Sequence, residues 1–348
     1  MSYRKYRLTL LAGAAMAALG ATLGWSAAAD ADELTLYCSP QEEWCQLMVT
    51  TFEAETGISV AMTRKSSGET FAQLAAEASN PRGDIWWGGT GDPHLQAAEE
   101  GFTEAYESPM LPELHDWAIN QHEAADGRTV GIYAGALGFG YNTELLAEKG
   151  LEPPACWADL IKPEFKGEIQ MANPNSSGTA YTALATFVQL WGEDEAFDYL
   201  KKLHANINQY TKSGSAPIKA AGLGETMVGI VFQHDAVTQK VAGFPIEVVS
   251  PCEGTGYEIG SMSIVKGGPN PESARKFYDF ALRADVQTLA RDVQAYQVPS
   301  NRNAEAPPEA PDFSTIKLID YDFKTYGSSE TRTRLLARWD AEVGSLPN

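Results

Sequence analysis

Between Ala172 and Tyr181 the chain reads Ala-Asn-Pro-Asn-Ser-Ser-Gly-Thr-Ala-Tyr. The stretch follows an apolar run, Gly167–Met171, whose pattern predicts a strand, and opens Ala180–Trp191, whose pattern predicts a helix. The first N–H groups of a helix have no partner inside it, and the helix dipole gathers partial positive charge there. Ser176, Ser177 and Thr179 add hydroxyl donors, and Gly178 lets a ligand approach the main chain closely. Such a stretch can seat an anion, phosphate or carboxylate. The same residue types also make ordinary N-caps, so this stretch alone leaves both uses open.

The pattern recurs. Lys65-Ser66-Ser67-Gly68-Glu69-Thr70 leads into a predicted helix Thr70–Ala78, and Gly88-Gly89-Thr90-Gly91-Asp92-Pro93 into another at His94–Glu100. Lys212-Ser213-Gly214-Ser215 stands before Ile218–Gly222, where a turn accounts for Ser213 and Ser215 unaided. A different chemistry follows the apolar strand Met227–Phe232, which ends in Gln233-His234-Asp235 before a predicted helix Ala236–Ala242. His, Asp and Glu can donate to and accept from vicinal hydroxyls, and Glu258 closes the segment Pro251–Glu258. The plainer uses are a solvated cap for His234 and Asp235, and a surface carboxylate near a hinge for Glu258. Trp86 or Trp87 could stack on a sugar ring, although both end an apolar strand and suit a core equally well.

The elements that must hold these residues alternate. Glu33–Tyr37, Ile58–Met62 and Asp84–Trp87 read as strands, each followed by an amphipathic helix, the first at Glu42–Thr56 with Gly57 at its end. That order predicts a parallel sheet with helices on both faces, and ligands of such sheets bind at the carboxyl ends of the strands. Thr129–Tyr141 is apolar with four glycines, and predicts a crossover between two lobes where backbone angles change. Ile259–Val265 predicts a second crossover, Pro271–Leu282 and Val286–Val293 two helices, Pro299–Pro311 a polar surface connection, and Thr331–Val343 a terminal helix. The expected fold is α/β and two-lobed: two mixed sheets with helices on both faces, joined by two crossover strands. Residues 32–133 with 261–299 form the first lobe, and 134–260 with 300–348 the second.

The 348 residues allow two domains, and 44% hydrophobic composition excludes a disordered chain. Arg4, Lys5 and Arg7 precede the apolar run Leu8–Trp25, and Ala27, Ala28, Ala29 and Ala31 offer small residues for cleavage. Residues 1–31 are therefore expected to be a cleaved signal peptide, placing the mature chain in the periplasm. A cut after Ala29 removes three basic residues and leaves 23 − 46 = −23 charges. That balance excludes nucleic acid, which needs clustered Lys and Arg, but not an anion held by N–H dipoles. Cys38, Cys45, Cys156 and Cys252 give an even count, which in an exported chain reads as two disulfides with three possible pairings. A short strand-to-helix turn favours Cys38–Cys45, leaving Cys156–Cys252. Zinc is the alternative, without CxxC or paired-His spacing to support it.

Four separated segments then resemble one family. They are Leu36–Cys45 (LYCSPQEEWC), Asp84–Gly101 (DIWWGGTGDPHLQAAEEG), Lys166–Tyr181 (KGEIQMANPNSSGTAY) and Cys252–Gly260 (CEGTGYEIG). Together they look like a periplasmic solute-binding protein of an ABC importer, in the ferric-binding-protein-like family, and the resemblance covers essentially the whole mature chain. Ferric members hold their metal on adjacent tyrosines, and no Tyr-Tyr occurs in the mature chain. Fe(III) needs such hard oxygen donors, so the resemblance points instead to the branch that binds phosphorylated sugars. It implies that Ser66, Ser67, Thr90, Ser177, Gly178 and Thr179 face the phosphate, and that His234, Asp235 and Glu258 read the sugar hydroxyls. It further implies a small anionic ligand, most simply a hexose phosphate, delivered to a membrane ABC permease by a monomer that uses no cofactor or metal. Fe(III), a phosphonate and a polyamine are the rival ligands. An exported hydrolase of phosphate esters is the rival of another class, but GxSxG, SxxK with SDN, HExxH and the P-loop are all missing. No catalytic residue is expected.

Overall fold

A computed structural model describes residues 32–347. The signal peptide expected at residues 1–31 lies outside them. Three strand–helix units come first: β1 (Glu33–Cys38), α1 (Glu42–Thr56), β2 (Ser59–Arg64), α2 (Ser67–Glu77), β3 (Ile85–Trp87) and α3 (Gly91–Glu99). A short β4 (Thr103–Glu104) and α4 (Asp116–Ala124) lead to the 13-residue β5 (Val130–Asn142). The middle of the chain holds α5 (Thr143–Glu148), β6 (Ile169–Ala172), α6 (Gly178–Trp191), α7 (Glu193–His204), β7 (Ile207–Thr211), α8 (Ala216–Gly222), β8 (Val228–Phe232), α9 (Gln233–Val241) and β9 (Ile246–Val249). It closes with β10 (Tyr257–Val265), α10 (Pro271–Ala281), α11 (Ala284–Thr288), β11 (Val298–Pro299), α12 (Phe323–Tyr326) and α13 (Ser329–Trp339).

Strand pairing explains how two groups of elements meet. β1 pairs in parallel with β2 and β3, as the alternating pattern predicts, and β10 joins β3 antiparallel. β6 pairs in parallel with β7 and β8. The two groups share β5. Its first half, Val130–Ala136, pairs with β10 and β11, and its second half, Leu137–Asn142, pairs with β8 and β9. The pairing path is therefore continuous, β2-β1-β3-β10-β5-β8-β6-β7. The glycines of β5 have ordinary φ angles. They are small because neighbours crowd them, not because the strand bends: a Cβ on Gly135 would lie 2.5 Å from His234 Nδ1.

Each group has its own core. One cluster gathers Leu36, Trp44, Phe52, Val130, Met262 and Phe277 from the first group with α10. The other gathers Phe139, Trp157, Phe187, Phe197, Val228 and Trp339. The C-terminal helix α13 gives Leu335 and Trp339 to the second cluster, and also reaches α3. There Arg332 donates to Gln96 Oε1 at 2.7 Å, and its guanidinium lies against the rings of Phe71 and Tyr181.

Several boundaries differ from the sequence pattern. α2, α3, α6 and α9 begin two or three residues earlier than their apolar periodicity suggests, because their first turns are made of Ser, Gly, Thr, His and Asp. β7 occupies Ile207–Thr211, a stretch with only one strongly buried side chain. α4 was invisible in the sequence because its polar residues hide the period. Val286–Val293 divides into α11 and a 3-10 turn. Among the described residues, no helix is long and apolar enough to cross a membrane.

Both disulfides form with the expected partners, Cys38–Cys45 and Cys156–Cys252. Those bonds consume the thiolates that a zinc site would need. The second bond closes a loop between residues 96 apart. Chain-entropy arithmetic for a loop of that length gives about 4.7 kcal/mol. The pair sits at the surface, so its replacement disturbs little packing. Cys156→Ala/Cys252→Ala is therefore expected to lower the unfolding free energy by about 4–5 kcal/mol in urea melts. A loss below about 1 kcal/mol would contradict this account.

Candidate functional site

All nine residues singled out from the sequence line one cleft, together with Ser39, Pro40, Gln41, Arg64, Gly89, Tyr133, Gly214, Ser215, Phe232 and Gln297. One wall is made of helix beginnings. Ser66, Thr90 and Ser177 are the N-cap residues of α2, α3 and α6, each with extended backbone angles. Ser67, Gly178 and Thr179 follow in the first turns. Gln41, Ser215 and Phe232, the N-cap residues of α1, α8 and α9, also reach the lining, so positive dipole ends open into the cleft from several sides.

Main-chain bonds hold these starts face to face. The N–H groups of Gly68 and Glu69 donate to Ser176 O at 3.0 and 3.3 Å, and Thr90 N donates to Ser67 Oγ at 3.2 Å. The fit is tight: a Cβ on Gly178 would collide with Thr90 Oγ1, and one on Gly214 with Thr179 Oγ1. Ser66 forms a capping box with Glu69, but the other two caps are looser. Ser177 Oγ accepts its own helix's Ala180 N–H only at 3.5 Å, and Thr90 Oγ1 is buried without a partner. Arg64 is the cation of the lining, and its Nε donates to Pro40 O at 2.9 Å.

The opposite wall carries side chains that can meet hydroxyl groups. His234 and Asp235 lie in the first turn of α9, and Glu258 is the second residue of β10. They are 3%, 6% and 3% exposed. His234 Nε2 lies 3.9 Å from both Asp235 Oδ2 and Glu258 Oε1. Burial lowers the His234 pKa, with Asp235 opposing, so the ring is neutral. Burial pushes Glu258 well above the carboxylate range, and the charges of Asp235 and Asp92 push it further. Burial thus favours the protonated form of Glu258, whose O–H can donate. Phe232 stacks on His234 at 5.5 Å between ring centroids.

The tryptophans are not part of the cleft. Trp86 is fully buried, stacked on His94 at 3.5 Å, and donates to Ser39 Oγ at 2.9 Å; Trp87 packs edge-on to Trp44. Phe232 is the aromatic face that sequence reasoning missed, although its place at the end of an apolar strand beside His234 was a usable signal. Gln41, Tyr133 and Gln297 were also missed, because single polar or aromatic residues at element ends carry no local pattern. Tyr133 OH accepts Gly89 N–H at 2.8 Å, and burial raises its pKa well above the ordinary value. Ser215 reaches the lining, while Ser213 stands behind it, 3.4 Å from the Ser215 hydroxyl.

Paired β/α groups sharing a strand, with a polar cleft rimmed by helix starts, define a receptor that encloses a small solute. Residues 90–325 match the bacterial extracellular solute-binding proteins, and the chain belongs to that family. The periplasmic binding protein AfuA from Actinobacillus pleuropneumoniae, solved with fructose-6-phosphate bound, is 47% identical, with a TM-score of 0.87 over 90% of this chain and 99% of that one. The periplasmic binding protein P5PA is 40% identical, with a TM-score of 0.87 over 90% of this chain and 99% of its own. A Haemophilus influenzae protein is 45% identical over 339 residues, spanning 97% of this chain and 98% of its own. Family members bind small ligands and work with ABC permeases, and they are solute-binding proteins rather than enzymes. Membership implies a periplasmic protein.

Two expectations follow from this geometry. Alanine at Gly178, the first residue of α6, suits a helix at least as well as glycine, yet its methyl collides with Thr90 where α3 and α6 meet. Gly178→Ala should keep or raise the melting temperature of the ligand-free protein and weaken every ligand at least tenfold in titration calorimetry. Glu258→Gln copies the neutral acid. A folded-state pKa raised above the unfolded value contributes stability that is present below about pH 4.3 and is lost as pH rises through the folded value. Glu258→Gln removes that loss. Its stability relative to wild type should therefore rise with pH in urea melts run from acid to alkaline conditions, and a constant difference would refute a neutral Glu258.

Proposed function

We propose that this protein captures a small phosphorylated ligand, a hexose phosphate above all, between two lobes and delivers it to an ABC permease. The observation that carries the reading is the division of the cleft. One part of the lining offers Ser66, Thr90 and Ser177, helix N-caps that carry hydroxyls, suited to a phosphate. The other offers His234, Glu258 and Asp235, with burial favouring the uncharged forms of the first two, suited to several hydroxyls. The likeness to AfuA, whose structure holds fructose-6-phosphate, supports the same reading.

In this mechanism Ser66, Ser67, Thr90, Ser177, Gly178 and Thr179 hold the phosphate through N–H and O–H donors, with Arg64 as the nearby cation. A seat made largely of dipoles keeps release possible, as a transport receptor requires. His234, Asp235 and Glu258 read the sugar. Residues 32–133 with 261–299 form one lobe and 134–260 with 300–348 the other, closing by a hinge at β5 and β10. The bonds from Gly68 and Glu69 to Ser176 O, and from Gln41 Nε2 to Asp235 Oδ1 at 2.5 Å, cross between those lobes and favour the closed form.

Calorimetric titration of ligand-stripped protein tests the reading with hexose phosphates, the parent sugars, inorganic phosphate, an aminoalkyl phosphonate and ferric citrate. A hexose phosphate should bind tightly and its parent sugar weakly. His234→Ala/Asp235→Ala should weaken the sugar phosphate at least 100-fold with little change in melting temperature. Thr179→Val should weaken all phosphorylated ligands alike. Binding of ferric iron alone, or of the phosphonate alone, would overturn the sugar-phosphate reading.

A further inference from the structure

Gln297 precedes β11, whose Val298 and Pro299 pair with Ala134 and Tyr133 of β5. Continuing that antiparallel register by one position sets Gln297 opposite Gly135. On its other side Gly135 pairs with Glu258 of β10. Gln297, Gly135 and Glu258 therefore form a row across three neighbouring strands. Gly135 contributes no side chain, and His234 occupies the space above it.

Gln297 is 3% exposed and lines the cleft, yet its Oε1 has no hydrogen-bond partner. Its Nε2 donates to Gln41 Oε1 at 3.4 Å, and Gln41 Nε2 donates to Asp235 Oδ1 at 2.5 Å. The relay joins three separate segments and ends on a residue of the hydroxyl-facing wall. Buried amides keep an acceptor unpaired at a cost in stability unless a partner arrives. His234 Nδ1 is likewise buried and unpartnered beside the same glycine. An acceptor without a partner on a neutral side chain suits an O–H donor, and this one belongs to the group that holds Asp235 and Glu258.

Resting on the sugar-phosphate reading, we infer that Gln297 accepts a hydrogen bond from a hydroxyl at the end of the ligand remote from phosphate, and so selects ligands by chain length. The substrate class is a phosphorylated polyhydroxy compound that spans the cleft from the helix starts to Gln297. Gln41 is a positioning residue, which fixes the Gln297 amide and the Asp235 carboxylate together. A short phosphate ester fills only the phosphate end and leaves the Gln297 acceptor unpaired.

Gln297→Met keeps the length of the side chain and deletes its acceptor. The test is calorimetric titration of wild type, Gln297→Met and Gln41→Met with a hexose 6-phosphate, glycerol 3-phosphate and inorganic phosphate, beside a thermal melt. Gln297→Met should weaken the hexose phosphate at least tenfold while glycerol 3-phosphate and inorganic phosphate stay within twofold. Gln41→Met should shift the same ratio in the same direction by a smaller factor. An equal loss for all three ligands, or no loss for the hexose phosphate, overturns the inference and leaves the sugar-phosphate reading standing. Wild-type protein that binds none of the three overturns both.

Discussion

The cleft depends on an arrangement that helices ordinarily avoid: several positive dipole ends brought to one place. Like ends repel, and each carries N–H groups unsatisfied within its own helix. The protein assembles them on two separately cored strand–helix groups, so that packing far from the cleft holds α2, α3 and α6 in position. Ser176 turns its carbonyl toward α2 and Ser67 turns its hydroxyl toward α3, which satisfies a few of those N–H groups. The rest of the field favours whatever negative charge enters. Because the donors are already aimed, an entering anion need not reorganise them.

The facing wall follows a complementary rule. A seat for an anion cannot stand beside a cluster of ionised carboxylates, yet Asp235, Glu258 and Asp92 are all buried near one another. Burial eases the conflict by favouring the protonated form of Glu258, and it lifts Asp92 to about 6. Asp92 also receives the hydroxyls of Tyr321 and Thr182 at 3.3–3.5 Å, which ties α3 to the second core.

Much of this was legible in the sequence because strand-end loops advertise themselves. The Gly, Ser and Thr clusters at Ser66, Thr90 and Ser177 sit where periodicity changes, and His234-Asp235 directly follows an apolar strand. The parallel pairing of β1, β2 and β3 followed from alternation. What stayed hidden was longer in range. Helix starts built from small polar residues carry no apolar period, so α2, α3, α6 and α9 looked too short. The sharing of β5 between two strand groups is a matter of pairing partners, which no local window contains. Trp86 and Trp87 looked available for stacking because pattern alone cannot tell which face of a short strand meets the core. Gln41 and Gln297 are joined only by the fold, 256 positions apart.

The Cys156–Cys252 bond turns the middle of the chain into a covalent ring. An open chain drawn from its ends can straighten fully; a ring cannot. The 96 positions between the two sulfurs would reach roughly 320–350 Å as a single thread, but after oxidation they can pass a narrow pore only as a doubled strand. The reduced polypeptide can be threaded through a membrane channel one residue wide, and the oxidised protein cannot be drawn back the same way.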